Sequence, residues 1–129
     1  MNRIQSINEI IMWWYELPAD YTGTGDIDYH LQRLSGLYYS YSSDVAKAYL
    51  KHLETYIQRR IGIARHELSL YDKMSQNKAE KESIAANEEK YLTEIVAEAQ
   101  YNEHRLRLSA MSKVMDAMRT RISSLRKEQ

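Results

Sequence analysis

The chain has no cysteine, no phenylalanine and a single proline among its 129 residues. Without cysteine, neither a disulfide framework nor a thiolate metal site can form. Without phenylalanine, eleven Tyr and two Trp supply all the aromatic surface. These side chains have apolar bodies and polar tips, which suit interfaces and base stacking better than a dry core. One proline and four glycines leave little to interrupt helices. No apolar run approaches the ~18 residues of a membrane span. The N-terminus has no basic region leading into an apolar run, so neither a membrane anchor nor a secretory signal is expected. Net charge is zero, which removes any argument for nucleic acid from overall basicity.

What is present is helical periodicity. Tyr101, His104, Leu108, Met111, Met115, Met118, Ile122 and Leu125 alternate steps of three and four, with His104 the one polar member. This is the stripe of a long helix that faces another helix. His104 reads as a hydrogen-bonded or register-setting core residue rather than a metal ligand. Leu50, Leu53, Ile57, Ile61, Ala64, Leu68 and Tyr71 give a second stripe, the natural partner for the first. The polar stretch 75–78 then serves as the turn of an antiparallel hairpin. The fold expected is all-α, a long antiparallel helical hairpin preceded by shorter N-terminal helices, in one domain. An N-terminal helix spans 4–17, opened by a Ser6/Glu9 capping box and closed by Pro18. A hinge loop follows at 18–26. A helical segment covers 27–74, with a bend near 40–44 where Ser40, Ser42 and Ser43 weaken it. A C-terminal helix runs over 79–127. Leu50, Leu53, Ile57, Ile61, Leu68, Leu108, Met111, Met115 and Met118 are expected to be largely buried.

The motifs of common chemistry are missing. Gly23-Thr24-Gly25 lacks the Lys-Ser/Thr of a phosphate loop and no strand precedes it. The four His carry no Glu-x-x-His or His-Glu-x-x-His spacing, and no serine sits in a nucleophile elbow. No enzyme, metal or cofactor is expected.

Charge is distributed in blocks: −4 over residues 1–46, +3 over 47–73, −4 over 74–104 and +5 over 105–129. A hairpin folded about residues 76 and 77 brings Arg59 level with Glu94, Arg65 with Glu88, and Arg126 and Lys127 with Asp26 and Asp28. The basic residues therefore either match acids between helices or remain for an external anion. The densest central stretch holds Arg59, Arg60 and Arg65, preceded by Lys51 and followed by Tyr71 and Lys73. Basic groups beside flat rings are what single-stranded nucleic acid requires. Gly62, within that stretch, marks a close helix approach or a bend. Ile10, Trp13 and Trp14, in a run too apolar to stay exposed, either close their own bundle or dock on a neighbour. With Met111, Met115 and Met118 they are the candidate oligomer contacts.

The layout resembles the UvsY-type recombination mediators of tailed phages. The resemblance rests on Ile7–Trp14 (INEIIMWW), on His30–Tyr41 (HLQRLSGLYYSY), on Ala64–Tyr71 (ARHELSLY), on Gln100-Tyr101 and on Asp116–Arg121. It covers most of the chain. The chain departs from the family at Leu70-Tyr71-Asp72-Lys73-Met74, where a Tyr-Tyr-Ser/Thr-Gly run is usual. The resemblance implies a non-enzymatic, cytoplasmic protein of a phage-infected host cell, active in DNA recombination, repair and replication. It would bind single-stranded DNA and help a RecA-like recombinase displace single-strand-binding protein. A ring-shaped homo-oligomer is also implied, with Arg65 as the leading DNA contact. The competing expectation is a helical phage adaptor or inhibitor that binds another protein and no nucleic acid.

Overall fold

The computed structural model describes residues 1–128, and among these there is no strand. Four helices follow one another: α1 (Arg3–Glu16), α2 (Thr24–Leu70), α3 (Gln76–Ala86) and α4 (Glu88–Lys127). They form the expected antiparallel hairpin preceded by a short helix. The chain divides into two compact units. Unit 1 contains Met1–Val45 with the C-terminal part of α4 from Arg105, and unit 2 contains Ala46–His104.

Unit 1 is a three-helix bundle with an apolar core. Ile7 and Ile10 of α1, Ile27, Leu34, Tyr41 and Val45 of α2, and Met111, Val114, Met115, Met118 and Ile122 of α4 are all buried. Burying a side chain of this size stabilises by about 1.5–3 kcal/mol. Two spacings explain the arrangement: Ile27, Leu34 and Tyr41 recur every seven residues, and the methionines continue the three-four stripe. Ile10, Met111, Met115 and Met118, four of the candidate oligomer contacts, are at most 5% exposed and fill this core.

Several boundaries also differ. The capping box of α1 uses Asn2 and Gln5 rather than Ser6 and Glu9. The Gln5 amide donates to Asn2 Oδ1 at 2.8 Å, and the Asn2 amide donates to Gln5 Oε1 at 2.9 Å. The Asn2 cap starts the helix at Arg3, one residue before the expected 4–17. The loop expected over 18–26 as a hinge ends at residue 23, where α2 begins at Thr24. Arg121 donates to the carbonyls of Pro18, Ala19 and Tyr21 at 2.8–3.0 Å and clamps the loop to α4. Tyr21 donates to Asp26 at 2.5 Å, which holds its phenol above the usual range. Through 40–44, where a bend was expected, α2 runs on as one unbroken helix. Ser40 and Ser42 return their hydroxyls to the carbonyls of Leu37 and Tyr39, and burial of Tyr41 and Val45 outweighs the weak serine propensity. The hairpin turn falls at 71–75, because Ser75 caps α3 and draws residues 76–78 into its first turn. Asn87 then interrupts the C-terminal helix expected over 79–127.

Truncating Met118 to Ala removes a fully buried side chain from the centre of unit 1. It should cost about 2–5 kcal/mol, read as a lowered denaturant midpoint with helical circular dichroism retained before the transition.

Candidate nucleic-acid interface

Unit 2 is built on a different principle. Its buried residues are Ala79, Ser83, Asn87, Glu94 and Ala97, all small or polar, and no residue of α2 between Ala46 and Leu70 is fully buried. Small side chains at a spacing of four let two helices approach closely. At Gly62 a Cβ would collide with Asn87 Oδ1. Of the two readings of Gly62, close approach is the one that holds. Asn87 is fixed in place by its side-chain amide, which donates to the Ser83 carbonyl at 2.8 Å.

An ion pair crosses the seam. Arg59 Nε donates to Glu94 Oε2, with side-chain exposures of 20% and 9%. Its guanidinium carbon lies 5.6 Å from the Tyr56 ring centre and 5.3 Å from that of Tyr91. The hydrogen bond to Glu94 raises the Arg59 pKa further above its ordinary value, against the effect of burial. Farther along, Tyr101 packs on Tyr49 and stacks over His52.

The two flanks of this seam have different chemistry. One groove, about 340 Å³, is lined by Arg59, Arg60, Ile63, Ala64, Glu67, Glu80 and Ile84. Glu88 and Tyr91 line its neighbour on the same side, again with Arg59, Ile63 and Ile84. The other flank holds a cleft of about 640 Å³ lined by Gln58, Ile61, Gly62, Arg65, His66, Ala86, Asn87 and Lys90. No carboxylate lines that cleft. Lys51, Gln58 and Arg65 recur every seven residues of α2 and therefore share this side of the helix.

The candidate residues thus separate. Arg59 is committed to Glu94. Arg60 lies with two glutamates in the opposite groove. Arg65 and Lys51 lie on the basic flank, exposed, with no ion-pair partner among the described residues. Tyr71 donates to Glu67 at 3.1 Å, and this bond raises its pKa. Lys73 is exposed in the 71–75 turn. Trp13 is half-buried and stacks on His30 with ring centres 3.7 Å apart, and Trp14 lies beneath the Arg121 guanidinium at 5.6 Å. Both therefore have partners within unit 1. Lys90 was missed from the sequence, hidden in an acidic block. The hairpin register was its signal, since the pairing of Arg59 with Glu94 sets Lys90 beside residues 62 and 63.

Among the described residues, no group of three His, Asp or Glu could hold a metal ion, and no helix is long and apolar enough to cross a membrane. No protein-family model, curated protein or solved structure matches the chain.

Because the seam has little apolar area, the Arg59–Glu94 pair should matter to it. Glu94→Ala strands a mostly buried guanidinium and should cost about 2–4 kcal/mol. The double change Arg59→Met with Glu94→Ala should recover part of that loss. Equal melting of the single and double variants would show that the pair contributes nothing specific.

Proposed function

We propose that the chain is a non-enzymatic single-stranded-DNA-binding protein, with the basic flank of unit 2 as its DNA surface. The observation that carries this reading is the carboxylate-free cleft holding Arg65, His66 and Lys90, in line with Lys51 on the same side of α2. These cations can pair with phosphates, and displaced counterions supply the affinity. Arg59 takes no part in binding in this reading, because Glu94 already neutralises it.

The further role follows from the resemblance to UvsY-type mediators. The protein would hold single-stranded DNA for a RecA-like recombinase in competition with single-strand-binding protein, in the cytoplasm of an infected cell. One subunit presents few cations, so binding is weak per subunit. Self-association, as in the implied ring, repeats the flank and adds avidity without new contacts.

A second reading is favoured by a separate observation. Leu50, Ile57, Ile61 and Leu68 are 44–65% exposed, an apolar surface that a protein-binding adaptor would use.

The discriminating experiment is binding to a labelled single-stranded oligonucleotide across a salt series. Three basic groups per subunit should give a slope of log affinity on log salt of about −2. Changing Lys51, Arg65 and Lys90 together to Ala should weaken binding at least tenfold and flatten that slope, with unchanged melting. Arg59→Ala should instead lower the melting temperature. Absence of salt-dependent binding by the unaltered protein would reject the DNA reading and leave the adaptor.

A further inference from the structure

Among the described residues of α2, the exposed large aliphatic side chains are Leu50, Ile57, Ile61 and Leu68. At 100° per residue they fall within about 20° of a single line along the helix. Arg59, which faces the seam, is half a turn away. The four side chains therefore form a narrow stripe on the outer face of the hairpin, about 27 Å long.

Their spacing is seven, four, seven, and it reads the same in both directions. We propose that this stripe joins two copies of the chain in an antiparallel contact about a two-fold axis near residue 59. Leu50 then meets Leu68 of the second copy, and Ile57 meets Ile61, each pair occurring twice. A two-fold contact uses the same patch on both partners, so it requires this reversal symmetry. A different protein would impose no such symmetry on the stripe.

Charge and area agree with a second copy as the occupant. In an antiparallel pair, like flanks of the two helices meet. Glu54 and Arg65 lie on one flank, and the same register sets Glu54 beside Arg65 of the other copy. The four side chains expose on the order of 400 Å² per copy, so with their rims the pair approaches the roughly 1,200 Å² of a specific interface. Left uncovered, they would form an apolar patch of the size often found at a functional surface. The contact also brings the Lys51 and Lys90 flanks of both copies to one side. By itself it closes a dimer, and a ring would need a second surface.

This inference rests on the stripe and not on the DNA reading, and its test contains no DNA. The chain has no cysteine, so each introduced thiol is unique. A disulfide needs Cα atoms within about 7 Å. In the proposed contact Leu50 faces Leu68 of the other copy, whereas the two Leu50 positions are about 27 Å apart. On mild oxidation, Leu50→Cys mixed with Leu68→Cys should give a covalent dimer, and neither variant alone should. Cross-linking of Leu50→Cys to itself would overturn the antiparallel register, and no cross-link in the mixture would overturn the contact. Ile57→Asp with Ile61→Asp should convert the protein to a monomer by light scattering. Both side chains are about half exposed, and helical circular dichroism recorded beside the mass separates loss of the contact from unfolding. A 15.2 kDa mass for the unaltered protein at tens of micromolar would also overturn the proposal.

Discussion

The backbone of α2 at Gly62 lies against the side chain of Asn87, and the character of unit 2 follows from that approach. A Cβ at residue 62 would collide with Asn87 Oδ1, so this contact needs glycine. The seam is filled by Ala79, Ser83 and Ala97, with Asn87 itself at the break between α3 and α4. Leu50, Ile57, Ile61 and Leu68 of the same stretch of α2 stay exposed, so the polar seam and the apolar stripe lie on opposite sides of one helix. Unit 1 has no such glycine contact in its bundle, and its methionines and isoleucines fill the interior in the ordinary way.

This also explains what the sequence could and could not reveal. The stripe from Tyr101 to Leu125 was legible because in unit 1 it packs as heptads usually do: Met111, Met115, Met118 and Ile122 are buried. The stripe from Leu50 to Leu68 has the same period, and by period alone it reads as a second core face. Yet Leu50 and Leu68 are 63% and 65% exposed, and Leu53 and Leu108 are only half-buried. Period 3.5 says that a face needs a partner. It does not say whether that partner is in the same chain. The discriminating signal was the second pattern, Ala79, Ser83 and Asn87 at steps of four opposite a lone glycine, which apolar counting passes over.

Charge register was legible to the level of axial position and no further. Folding the sequence about residues 76 and 77 correctly set Arg59 against Glu94. The same register set Arg65 level with Glu88, but Glu88 lines the groove shared with Arg59 and Ile84, while Arg65 lines the cleft on the other flank with Lys90. Two residues can be level along a hairpin and still lie on opposite sides of it. Helix phase decides this, and with phase included the basic residues cease to be one cluster. The tertiary clamp from Arg121 to the 18–21 carbonyls had no local signal at all, because its donor and acceptors are about a hundred residues apart.

The two units divide the work of folding unequally. Unit 1 buries enough aliphatic surface to hold three helices. Unit 2 gives up that source of stability along its seam and relies on small-residue contact, on Arg59 held by Glu94 over Tyr56 and Tyr91, and on the Tyr101–His52 stack. A buried ion pair is a weak substitute for apolar packing, because desolvation offsets most of its attraction. What it supplies is register: a one-turn slip of α4 along α2 would leave a guanidinium and a carboxylate buried without partners. Register is what unit 2 needs for its outer surfaces to be useful. The line Lys51, Gln58, Arg65 is fixed by α2 alone, but adding Lys90 to it depends on how α4 lies against α2. The seam thus exchanges stability for alignment, and that alignment assembles the carboxylate-free cleft.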